Sequence, residues 1–229
     1  EVLDLQWRLS YLEGRLDEAM EEVRRGVALF PDDPALQHSA GWCLLELRDP
    51  AAAAGFLERA CELDPEAADT WYDLALAREQ LGDEPAIQAA FQRVWTLDRA
   101  AAEATPLVFE HETFEEILRN AIEELPAPVL TSMANVVVIH EEYPDEWILE
   151  APPYDPRLFG LFVGPVVADT RGAQFSGEEP SRIYVFQRNL ERQFGHPADL
   201  AAEIRITLIH EVGHYLGLEE EDLADRGWL

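Results

Sequence analysis

A 34-residue period constrains this chain more than any other feature. Leu29-Phe30-Pro31, Leu63-Asp64-Pro65 and Leu97-Asp98-Arg99 recur at that interval. Behind each lies an apolar helical pattern in the same phase. Ala19, Ala53 and Ile87 share one position, Val23, Leu57 and Phe91 the next, and Gly26, Ala60 and Val94 a third. Upstream in each unit sit Trp7, Gly41 and Ala75. Gly14 and Gly82, with Asp49-Pro50 at the matching place, predict the turn between two helices. A single helix pair cannot hide its apolar stripe, so such units must stack on one another and leave a concave groove.

This helix–turn–helix unit, with small residues at the crossings and a closing Pro, resembles the tetratricopeptide repeat. The likeness covers residues 1–104 as three units, with Arg99 standing where the third unit would close on Pro. The resemblance implies a protein or peptide ligand in the repeat groove. Trp42, Trp71, Tyr72 and Trp95 are placed to face either the groove or the core, and core packing is the expectation for each.

Past Ala100 the repeat register is lost, and Thr105-Pro106 punctuates the chain. Residues 105–112 read as a linker and 113–229 as a second domain. A helix from Phe114 to Leu125 is expected, stopped by Pro126 and Pro128. Strand-like runs follow at Asn135–His140, Leu158–Gly164 and Ile183–Phe186. The glycines of the second run suggest bulges or close approach, and the third is the expected sheet edge. A last helix begins near Pro197 and ends at Gly217. The fold class is therefore two-domain: all-α helical repeats, then an α+β layer in which two helices pack a small sheet.

That last helix carries His210-Glu211-Val212-Gly213-His214. Residues four apart share a helix face, so both imidazoles reach one ion. Zinc takes nitrogen, sulfur or oxygen donors, and two His supply half of a tetrahedral shell. Glu211, turned away from ligation, is placed to take a proton from metal-bound water and pass it to a leaving amine. Gly213 permits close approach of a neighbouring element. Gly217 lets the chain reverse and brings an acidic run, Glu219 to Asp222, back toward the metal. The metzincin spacing puts a third ligand ten residues after the first His, at Glu220, with Asp222 as the second choice.

The stretch from about Thr113 to Trp228 resembles the small bacterial minimal-zincin family of zinc metallopeptidases. The resemblance rests on Glu123-Glu124-Leu125-Pro126, Val136–Ile139, Leu158–Gly164, Arg182–Phe186 and Thr207–Leu218, in that order. It implies zinc as cofactor, His210, His214 and Glu220 as ligands, and Glu211 as the catalytic base. It implies hydrolysis of peptide bonds by Glu-assisted attack of zinc-bound water, the repeats recruiting a protein substrate or regulator. Met20 and Met133 both precede the motif, so no Met-turn follows it. Tyr184 and Tyr215 are candidate oxyanion stabilisers. The alternative function is a non-catalytic interaction module whose zinc is structural.

Charge narrows the partners. Seventeen Lys and Arg stand against 46 Asp and Glu, a formal net charge of −29. Such a field repels nucleic acid and anionic membranes and favours cations or basic segments. No apolar run approaches the roughly 20 residues needed to span a bilayer. Two cysteines, Cys43 and Cys61, form no disulfide framework and suit the reducing cytoplasm. His38, His111, His140 and His196 are expected to be structural or superficial. Glu1 in place of an initiator Met is consistent with a piece excised from a longer protein.

Overall fold

The structure is a computed structural model that describes residues 7, 9–165, 181–218 and 222–223. It divides into two compact units. One comprises Glu1–Ala104 with Glu146–Pro156, the other Thr105–Asp145 with Arg157–Leu229.

In the first unit, helical residues 9–12 precede five helices: α1 (Leu16–Leu29), α2 (Pro34–Glu46), α3 (Pro50–Leu63), α4 (Ala68–Leu81) and α5 (Glu84–Ala104). The sequence period is also the burial period. Ala19 and Ala53 are buried completely and Ile87 nearly so; Val23, Leu57 and Phe91 are buried completely. Small residues sit where helices cross. A Cβ built at Gly41 would fall 2.4 Å from Leu57 Cγ, so α2 and α3 meet at a distance only glycine allows. Gly14 and Gly82 adopt left-handed backbone at the turns, and Arg48 takes that conformation at the matching place. Asp33 and Asp49 cap α2 and α3 by accepting from main-chain N–H groups, with Pro34 and Pro50 as the first helical residues.

Helices α1 and α3 end just before Pro31 and Pro65, whereas α5 runs on for 21 residues. Arg99 explains the difference, since nothing at that position removes an N–H or clashes with the preceding turn. The first unit also takes in residues far along the chain. A 3₁₀ turn, Glu146–Leu149, packs against α5 with Ile148 and Leu149 buried. Gln88 Nε2 donates to the Leu149 carbonyl at 2.7 Å, and the Tyr72 hydroxyl donates to Asp155 at 3.1 Å.

The second unit is α+β. Its elements are α6 (His111–Glu123), α7 (Ala127–Ser132), β1 (Val136–Glu141), β2 (Gly160–Val163), β3 (Ser181–Phe186), α8 (Gln187–Glu191) and α9 (Pro197–Leu216). Pro126 and Pro128 end α6 as expected, but they also open the short helix α7, where proline is tolerated in the first turn. The sheet order is β1-β3-β2, with β3 parallel to β1 and antiparallel to β2. The expectation that Ile183–Phe186 forms a sheet edge is corrected here. Ser181, Ile183 and Val185 of β3 are buried on one face, and the strand lies between its two neighbours. Among the described residues the edges are β1 and β2. The core joins Phe114, Leu118 and Ala121 of α6 to Ile183 and Val185 of β3 and to Leu200, Ile204, Leu208 and Val212 of α9.

Candidate metal centre

Helix α9 is built to hold its last two turns firmly. Pro197 starts it, and the His196 side chain accepts from the Ala198 N–H at 3.3 Å. Gly217, at φ 69°, ends it, with Leu218 N–H donating to the Gly213 carbonyl and Gly217 N–H to that of His214. That pattern is the Schellman close of a helix. Leu208, Val212 and Tyr215 face the core, which leaves His210 half-buried and His214 exposed on the opposite side.

The two imidazoles converge. His214 Nε2 lies 2.9 Å from His210 Nε2, the rings edge to face with centroids 4.5 Å apart. Nitrogens bound to one tetrahedral zinc at about 2.0–2.1 Å stand about 3.3 Å apart. The pair thus presents donors of the right kind to one point, and a movement of a few tenths of an ångström opens it to zinc. The donor set fits the ion. Among the described residues no group of three His, Cys, Asp or Glu completes a shell. Glu220 lies outside the described residues. Asp222 is described and exposed.

Glu211 is turned inward, toward β2. It is 7% exposed, and its Oε2 accepts from the Phe162 N–H at 2.7 Å. Burial pushes its carboxyl above the ordinary range, while the Phe162 amide and the charge of His214 pull it back. Phe162 is on β2, where alternate residues pair with β3 and those between them, Phe162 included, point away from it. Its amide is therefore directed outward from the ladder, and Glu211 takes it. Gly160 makes this approach feasible. A Cβ there would fall 2.6 Å from Thr207 Cγ2 and 3.4 Å from Glu211 Cγ. Of the close approaches expected of the 158–164 glycines, that of Gly160 is to the motif helix, while Gly164 closes on Ser181 of β3.

The reversal after Gly217 is visible in one contact. Leu223, 1% exposed, fills the space over Gly213, where a Cβ would fall 2.7 Å from its Cδ2. Of the two tyrosines considered as oxyanion stabilisers, Tyr215 is 8% exposed and packs beside Phe162, ring centroids 5.6 Å apart. Tyr184 lies parallel to Phe186 on β3.

Sequence reasoning missed a buried polar cluster around Gln187. This residue is fully buried, and its Oε1 lies 2.8 Å from His140 Nε2 and 3.2 Å from His111 Nδ1. Its Nε2 donates to the Phe109 carbonyl and to Glu191. Glu191 in turn accepts from the Val108 and Phe109 N–H groups. His111 and His140 are thus structural, as expected, but they serve a network that ties residues 108–111 to β1 and α8. No local pattern announces it, because its members are spread over 80 residues of chain.

Residues 133–228 match the family described as zincin-like metallopeptidase. Over 87 residues the chain is 33% identical to human protein O-mannosyl-transferase TMTC3, covering 38% of this chain and a tenth of that protein's length. Two solved structures are similar to it. The first tetratricopeptide domain of Spaghetti (RPAP3), bound to an HSP90 peptide SRMEEVD, is 21% identical, covers 43% of this chain and 78% of its own, and gives a TM-score of 0.42. The Hsp90 co-chaperone Cns1 from Saccharomyces cerevisiae is 18% identical, covering 70% of this chain and 59% of its own, with a TM-score of 0.36. The chain joins tetratricopeptide-like repeats to a zincin-like domain.

Proposed function

We propose that the second unit is a zinc-dependent peptidase and that the repeats recruit its protein substrate or a regulator. The observation that carries this reading is the division of labour on one helix: two imidazole nitrogens 2.9 Å apart on the open face, and a buried carboxylate one residue on, held by a strand amide. We assign His210, His214 and Glu220 as ligands. Zinc, when bound, supplies a Lewis acid that polarises a carbonyl and makes water a nucleophile near neutrality. Glu211 holds the proton traffic. Its carboxylate accepts the proton of the attacking water and returns it to the leaving amine nitrogen. The Phe162 N–H keeps Oε2 in place, which leaves Oε1 to exchange that proton. Strand β2, as a sheet edge, aligns an extended peptide by main-chain hydrogen bonds.

The same Phe162–Glu211 bond favours a second reading. It pins β2 to α9 whether or not the carboxylate ever moves a proton, as a structural metal domain requires. Glu211→Gln separates the two. A peptidase keeps its zinc and loses at least about 10²-fold in hydrolysis of a casein-derived peptide pool, in line with loss of a general base. Unchanged turnover removes Glu211 as the base, and full zinc in His214→Ala removes the ligand assignment. Elemental analysis of wild type beside Glu220→Ala tests the third ligand.

No helix among the described residues is long and apolar enough to cross a membrane. Both cysteines are buried free thiols, and we place the protein in a reducing compartment, the cytoplasm.

A further inference from the structure

The repeat unit has a groove of about 210 Å³ between α2 and α4, lined by Trp42, Leu45, Glu46, Arg48, Asp73, Leu76 and Gln80. Its floor is aromatic and rigid. Trp42 is held edge-on by Tyr11 at 4.3 Å and flanked by Trp7 at 5.8 Å, yet remains only partly buried itself. Its walls carry two carboxylates, Glu46 and Asp73, against one guanidinium, Arg48. Asp73 is fixed by His38, whose Nε2 lies 2.7 Å from Asp73 Oδ2, so the carboxylate is oriented before any ligand arrives.

An aromatic floor between carboxylates selects one kind of side chain. A long cationic residue lays its methylene stem on Trp42, Leu45 and Leu76, and its head meets both the indole face and the carboxylates. An acidic ligand would meet the Glu46 and Asp73 carboxylates, within a chain of net charge −29. We propose that this groove binds a basic, apolar-flanked protein segment, with an Arg or Lys seated on Trp42 between Glu46 and Asp73. The inference rests on the reading that the repeats recruit a protein, and it adds the chemistry of what they take.

The test uses the full chain and two fluorescein-labelled nonapeptides, one alternating Arg and Leu and the other with Glu in place of Arg, at physiological salt. The Arg peptide is expected to bind. Glu46→Gln/Asp73→Asn should weaken it about tenfold or more, and so should Trp42→Ala. Asp17→Asn/Glu21→Gln removes the same charge from the exposed face of α1 and should change binding less than about twofold. Equal weakening by the two charge variants would mean general attraction to an acidic surface and would overturn the site. Trp42-dependent binding of the Glu peptide would overturn the charge class and leave recruitment by the groove standing. Binding of neither peptide would remove both. The Glu46→Gln/Asp73→Asn variant is isosteric, so it remains informative if Trp42→Ala disturbs the repeat core.

Discussion

Leu223 occupies the volume that a side chain at Gly213 would need: a Cβ there falls 2.7 and 2.8 Å from its two methyl groups. Gly213 lies between the motif's Glu211 and His214 on α9, and Leu223 lies beyond the helix end, so this contact measures how the chain folds back after Gly217. Gly213→Ala should displace Leu223 and with it the acidic run that we assign to the metal. Zinc affinity, read by competition with a chelator, is expected to fall about 10–100-fold, the range for disturbed support of a metal site. Leu223→Ala alone should be milder, and in the Gly213→Ala background it should restore part of the loss. Equal zinc affinity in Gly213→Ala and wild type would separate the reversal from the metal site.

Gln187 is the node of a buried network with four partners, two of them imidazoles. Gln187→Leu keeps the volume but leaves the Phe109 carbonyl and the His140 ring without that partner. Each such loss costs about 1–3 kcal/mol, so an overall loss of about 3 kcal/mol is expected, read from the denaturant midpoint of the second unit's transition. Zinc content should not change, because the network lies at β1 and α8 while the motif lies on α9. An unchanged midpoint would mean that water replaces the amide at no cost.

Cys43 and Cys61 are 3% exposed, and burial pushes their thiols up to about 11 and about 12. At pH 8 the native protein should therefore react with iodoacetamide roughly 10²-fold more slowly than the unfolded chain, since the thiolate is the nucleophile. The sign for stability follows. A folded-state pKa raised above its unfolded value, about 8.5, contributes stability that is fully present below pH 8.5 and is lost as pH rises through 11. Unfolding midpoints should fall above pH 9, and Cys43→Ala/Cys61→Ala should flatten that fall. Rapid labelling of both thiols in the native state would mean that the repeats open readily.

Much of this was legible in the chain itself. The 34-residue spacing of Ala19, Ala53 and Ile87 and of Val23, Leu57 and Phe91 named the buried positions of three units before any coordinate. The i, i+4 spacing of His210 and His214 put both imidazoles on one face, and Gly217 marked the turn that returns Leu223. In each case the information is local, because helix geometry converts spacing along the chain into a face in space. The third ligand was legible only as a choice between Glu220 and Asp222, since a ligand beyond a helix end depends on the path of the chain rather than on helical phase.

What the tertiary structure alone decided is which groups meet across distance. Strand β3 reads like its neighbours in sequence, yet it lies in the middle of the sheet, and β2 becomes the edge whose Phe162 amide holds Glu211. Gln187, one glutamine among several in the sequence, is buried and bonds two histidines from 47 and 76 residues away. Residues 146–156 leave the second unit to bury Ile148 and Leu149 with the repeats. Strand order, buried polar partners and the home of an inserted segment are set by whole-surface burial and by the need to pair every buried donor and acceptor. Neither has a period, so only the folded chain shows them.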